Sequence, residues 1–118
     1  MKAYCFRTCI SISHSNEDIK ENAHIHTVEV AAYVKTDDTQ EDLRKFDDTE
    51  VLIEECLDPF RECYLNEMEG FEENVSIEYL GETLFYKLDE KLSEHGMCIE
   101  RFEISETPLR TYILTRTA

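Results

Sequence analysis

A chain of 118 residues with 27 acidic against 12 basic side chains carries a formal net charge of -15 at neutral pH, which repels phosphate backbones and anionic headgroups. Nucleic acid and membrane surfaces are therefore excluded as expected partners, and the length suits a single domain spanning 1–118. No apolar run approaches the roughly 18 residues that cross a bilayer, no signal-peptide pattern opens the chain, and the five cysteines, Cys5, Cys9, Cys56, Cys63 and Cys98, form no CxxC pair, so a reducing, cytoplasmic setting is expected.

Residues 2–14 alternate as a strand, with Tyr4, Phe6, Thr8, Ile10, Ile12 and His14 on one face and Ala3, Cys5, Arg7, Cys9, Ser11 and Ser13 on the other. Residues 15–21 are polar and read as a short connection. A second strand over 23–35 places His24, His26, Val28, Val30, Ala32 and Val34 on one face. The acidic stretch 36–48 reads as a loop anchored by Phe46, and a helix is expected from about Thr49, capped by Asp47, Asp48 or Thr49. Its apolar face would comprise Leu52, Ile53, Cys56, Leu57, Phe60 and Tyr64, with a kink or restart at Pro59.

The clearest helix follows Ser76, an N-cap type, and repeats Ile77, Leu80, Leu84, Leu88 and Leu92 at intervals of three and four. His95-Gly96 ends it, because glycine tolerates the positive φ of a helix terminus. A third strand spans 97–105, with alternation that falters near Arg101 as at a bulge, and Glu106-Thr107-Pro108 turns the chain into a fourth strand over 109–115. The order ββααββ predicts an α+β fold, with a four-stranded antiparallel sheet and two helices packed on one face. Open sheet edges favour self-association through strand pairing.

Antiparallel pairing of the first two strands brings His14 beside His24 and His26, at the order of 5 Å between directly paired residues. Three neutral imidazoles converging on one point form a zinc site with one open position for water or substrate.

The element order, with Ile10-Ser11-Ile12-Ser13-His14, His24-Ile25-His26, Leu65-Asn66, Ser76-Ile77-Glu78 and Ile104-Ser105-Glu106-Thr107, resembles the 6-pyruvoyl-tetrahydropterin synthase and 6-carboxytetrahydropterin synthase family over residues 4–115. The resemblance implies the tunnelling fold, with subunits joined as trimers or stacked as hexamers. It also implies that His14, His24 and His26 match the three zinc ligands and that Glu106 matches the glutamate anchoring a pterin edge, where a carboxylate accepts two parallel N–H bonds. The implied chemistry is the loss of triphosphate from dihydroneopterin triphosphate, with zinc polarising the substrate side chain.

The chain departs from that pattern at the positions that handle protons. Ile25 stands where the family has glycine between the histidines, Lys20 stands where it has a catalytic cysteine, and Arg61-Glu62 stands where it has an Asp-His pair. Glu21-Asn22-Ala23-His24 has the Glu-x-x-His spacing of relatives that use a glutamate base, so Glu21 and Glu62 are the candidate catalytic carboxylates. The basic residues Arg7, Lys20, Arg61, Arg101 and Arg110 are those available to a triphosphate. The resulting expectation is a zinc-binding, divergent family member that binds or acts on a pterin-type or purine-like ligand, with lyase activity altered or lost. A non-catalytic oligomeric binding or regulatory module without metal is the other reading.

Overall fold

The computed structural model describes residues 3–15, 23–36, 43–71 and 75–116. Period-two alternation in the first two strands is satisfied by one long antiparallel ladder. Strand β1 (Tyr4–His14) pairs with β2 (His24–Thr36) in unbroken register from Tyr4↔Val34 to His14↔His24. Helix α1 (Leu43–Leu57) follows, then a 3-10 turn (Asp58–Phe60), strand β3 (Cys63–Tyr64), a second 3-10 turn (Leu65–Glu67), helix α2 (Ile77–Ser93), β4 (Met97–Thr107) and β5 (Arg110–Thr115). The sheet order is β3-β1-β2-β4-β5.

Among the described residues the fold is α+β with two α-helices, as expected, but the sheet is five-stranded and mixed rather than four-stranded and antiparallel. The extra strand, β3, runs parallel to β1 through Ile12↔Cys63 and Ser13↔Tyr64. The sequence reading carried an interrupted helical face through Pro59 to Tyr64; in the structure α1 stops at Leu57 and Pro59 opens the short 3-10 turn. Arg61 then turns extended, Glu62 takes a positive φ of 55°, and the Glu62 N–H donates to the Ser11 carbonyl at 2.6 Å. The first helix also starts earlier than expected, at Leu43, so Phe46 lies within it and packs its ring against Tyr4 and Phe6.

Helix α2 matches its sequence signals closely. The Ser76 side chain accepts from the Tyr79 N–H, and Gly96, just past the helix, adopts φ 73°. Its stripe Leu80, Leu84, Leu88 and Leu92 is buried against one sheet face, where it meets Ile10, Ile12, Val28, Val30, Ile99, Phe102 and Ile104. Each such side chain stabilises the fold by roughly 1.5–3 kcal/mol relative to exposure. At Gly81 the helix lies so close to the sheet that an added Cβ would stand 2.7 Å from Ile104 Cγ2.

The irregular alternation of β4 has its cause in a bulge. Tyr33 pairs with Arg101 and Val34 with Ile99, leaving Glu100 as the extra residue and moving the buried phase from odd positions (Met97, Ile99) to even ones (Phe102, Ile104). Strand β4 also runs on through Thr107, so Glu106 belongs to the sheet and the turn itself is Pro108-Leu109. Among the described residues, no helix is long and apolar enough to cross a membrane.

Candidate metal centre

The apolar face that carries the core ends in polar residues at one end of the sheet. His14 closes β1 and His24 opens β2 as a direct cross-strand pair, and Ile12 pairs with His26. Residues opposite each other in an antiparallel ladder share a face, so all three histidines continue the row of Ile10, Ile12 and Val28. The bulge at Glu100 brings β4 into the same arrangement. With Val30↔Ile104 and Glu29↔Ser105 paired, Glu106 lies one step further along, on the face of Ile104. Its carboxylate Oε2 stands 3.3 Å from His26 Nδ1.

The rings of His14 and His26 are 4.9 Å apart between centroids, and those of His24 and His26 are 6.3 Å apart. Both nitrogens of His14 are shut off from solvent and have no hydrogen-bond partner among the described residues. Leaving a buried polar group unpaired costs about 1–3 kcal/mol. Burial lowers the His14 pKa, the charge of His26 adds to that effect, and Glu106 opposes it. A pKa below the ordinary 6.5 keeps the ring neutral at pH 7, the form that offers a lone pair to a cation.

Ligand atoms of His14, His26 and Glu106 all lie within 4.8 Å of one another. Ligands on a tetrahedral zinc with bonds of 2.0–2.1 Å stand about 3.3 Å apart, so the set as it stands is wider than a bound zinc requires. The donor types, two imidazoles and a carboxylate with a third imidazole beside them, fit zinc.

The structure therefore brings together His14, His26 and Glu106, with the exposed His24 flanking them on the same face. Glu62 is not in the cluster: it is exposed and lines a depression of about 300 Å³ with Ser11, Ile12, Ser13, Ile25 and Cys63, of which Ser11, Ser13 and Ile25 belong to the face opposite the histidines. Glu21 and Lys20 lie outside the described residues. The closeness of Glu106 to His26 was missed in the sequence, which gave Glu106 to a turn; its even-numbered position two beyond Ile104 was the available signal.

Three of the basic residues considered for a triphosphate are already paired. Arg7 meets Glu29 at 3.1 Å, and Arg101 meets Glu103 at 2.7 Å. Arg61 meets Glu54 and Asp58 and also donates to the Cys9 carbonyl.

Fold and site together define an α+β protein whose three interior strands converge on a cluster of histidines and one carboxylate. The profile of the 6-pyruvoyl tetrahydropterin synthase family matches residues 4–117, and the chain belongs to that family. A solved structure of 6-pyruvoyl tetrahydropterin synthase from Caenorhabditis elegans is similar with a TM-score of 0.75 at 21% identity, covering 98% of this chain and 96% of that one. An uncharacterized protein from Wolinella succinogenes is similar at TM-score 0.63 and 13% identity, covering 98% of both chains. The Plasmodium vivax 6-pyruvoyl tetrahydropterin synthase gives TM-score 0.59 at 12% identity, covering all of both chains. At these identities the likeness is one of fold. A sequence search against curated proteins finds no match.

Proposed function

We propose that this chain is a divergent, zinc-binding member of its family that binds or acts on a pterin-type or purine-like ligand, with lyase activity altered or lost. The observation that carries the reading is His14, whose two buried nitrogens have no partner among the described residues while its ring faces His26. In this reading His14, His24 and His26 hold the ion, as the resemblance implies. Zinc, when bound, acts as a Lewis acid toward the oxygens of a ligand side chain. Glu106, whose side chain is 31% exposed, orients His26 through Nδ1 and keeps surface for the N–H edge of a pterin.

The altered chemistry follows from the residues beside the centre. Glu62 lies outside the cluster, and Arg7, Arg61 and Arg101 are engaged with carboxylates, which supports weak recognition of a triphosphate. Glu21 remains the proposed base, by its Glu-x-x-His spacing. If the chain is active, it is a zinc-dependent carbon-oxygen lyase on dihydroneopterin triphosphate or a related pterin. Cytoplasmic placement and one domain over 1–118 complete the proposal, with self-association as a trimer or hexamer through the outer edge of β5, near the exposed Leu109 and Ile113.

Metal analysis of protein purified without added zinc tests the centre, with His14→Ala and His24→Ala beside it. Stoichiometric zinc lost in both variants supports the three-histidine site; loss in His14→Ala alone moves the third ligand to Glu106. No zinc in any sample sinks the metal reading. Incubation with dihydroneopterin triphosphate then separates enzyme from binder: turnover abolished by Glu21→Gln marks a lyase, and saturable binding without turnover a binding protein. The second reading, an oligomeric module without metal, draws on the Glu106 contact with His26, which satisfies that ring without an ion.

A further inference from the structure

His14 stands where the β1–β2 ladder ends, since His14↔His24 is its last pair. A strand terminus is ordinarily the first part of a sheet to open, yet the residue after His14 is buried. Ser15 is only 3% exposed, and a single distant side chain grips its backbone on both sides. Its N–H donates to Asn66 Oδ1 at 3.0 Å, and Asn66 Nδ2 donates to its carbonyl at 2.8 Å. A primary amide carries an acceptor and a donor in one plane and can close both ends of one residue at once.

The rest of residues 62–66 reinforces the grip. The Glu62 N–H donates to the Ser11 carbonyl at 2.6 Å, Ser13 Oγ donates to the Cys63 carbonyl at 3.3 Å, and the Ser15 and Tyr64 hydroxyls are 2.7 Å apart. This segment is thus a strap along the last residues of β1, with the amide of Asn66 as its buckle just past His14. The ring of His14 makes no hydrogen bond of its own among the described residues and packs against His26, so the main chain that the strap holds is one of the few constraints on its aim.

We infer that Asn66 is a positioning residue for His14: by clamping the Ser15 backbone it fixes the direction in which the His14 imidazole faces its cation. The inference rests on the metal-binding reading of His14. It assigns a use to Leu65-Asn66 beyond core packing, because Leu65 is fully buried and anchors the 3-10 turn from which Asn66 reaches back. Partners hydrogen-bonded directly to a ligating side chain typically govern metal affinity by about 10- to 100-fold; Asn66 acts one residue away, through the Ser15 backbone, so its effect belongs at the low end of that range.

The test compares the wild-type chain with Asn66→Ala, Asn66→Asp and the core variant Leu88→Ala. Zinc affinity is read by chelator competition and ligand geometry by the visible spectrum of the cobalt(II)-loaded protein. Asn66→Ala is expected to weaken zinc by about 10-fold and change the cobalt spectrum, whereas Leu88→Ala leaves both as in the wild type. Asn66→Asp keeps the acceptor for the Ser15 N–H but loses the donor, and should fall between. Unchanged affinity in Asn66→Ala overturns the positioning role, and so does an equal loss in Leu88→Ala, because the loss would then follow stability. If Asn66→Ala does not fold, wild-type affinity in Asn66→Asp overturns it instead. A wild type that takes up neither metal overturns the metal reading and this role together; a wild type that binds beside an indifferent Asn66→Ala overturns the role alone.

Discussion

Two ends of the same sheet face carry opposite solutions to burial. Under α2, the row formed by Ile10, Val28, Val30, Phe102 and Ile104 meets a leucine stripe, and these side chains are shielded almost completely. One or two steps along the same strands, the row becomes His14, His24, His26 and Glu106, and a half-buried ring is left with both nitrogens enclosed and unpartnered among the described residues. The two regions differ in chemistry and in cover: the histidine end lies where the β1–β2 ladder stops and the β4–β5 register shifts between Ile104 and Thr107, and His24 and Glu106 are exposed there. The core end stabilises the fold by apolar burial; the proposed metal site would account for the unpartnered nitrogens at the histidine end.

Substitutions at the core end should be costly and should leave the centre's preferences alone. Phe102→Ala empties a fully buried site and is expected to lower unfolding free energy by about 3–5 kcal/mol, read by urea titration. Gly81→Ala places a methyl group 2.7 Å from Ile104 Cγ2 and should cost about 1–3 kcal/mol as the helix is pushed off the sheet. A neutral result there would mean that the two layers separate more easily than their packing indicates.

At the histidine end the sign should reverse. His14→Leu removes two unpartnered nitrogens while keeping the ring's approximate volume, so the metal-free protein should gain about 1 kcal/mol while losing zinc uptake. Loss of both stability and zinc would show that His14 is held by contacts other than apolar packing, and the contrast between the two ends would fail. The smallest effect is kinetic. Burial raises the thiol pKa of Cys56, beside α2, and of Cys63, in the strap, so at pH 8 fewer of these thiols are thiolate than the ordinary value would allow. Mass spectrometry after brief iodoacetamide treatment should therefore find the exposed Cys5 and Cys9 modified first. Early labelling of Cys63 would indicate that the strap opens readily in solution.

Local signals were legible wherever a period or cap repeated over several residues. The α2 stripe, its Ser76 cap and Gly96, and the shared face of His14, His24 and His26 all appear in the structure where the pattern placed them. The faltering alternation near Arg101 was a true sign of a bulge, at Glu100. The two-residue β3 had no such signature, because two residues cannot display a period and their partners, Ile12 and Ser13, lie about fifty positions away.

The amino-acid sequence alone determined which residues share a face, because strand and helix periods are properties of neighbouring positions. It also determined the family, through short motifs in a fixed order. Tertiary structure decided which of those faces meet: that Glu106 reaches His26, that Glu62 stays outside the cluster, that Arg61 is occupied by Glu54 and Asp58, and that Asn66 closes on Ser15. Each of these depends on chain pairing or on a turn, including the positive φ at Glu62, and long-range pairing leaves no period in the sequence from which it could be read.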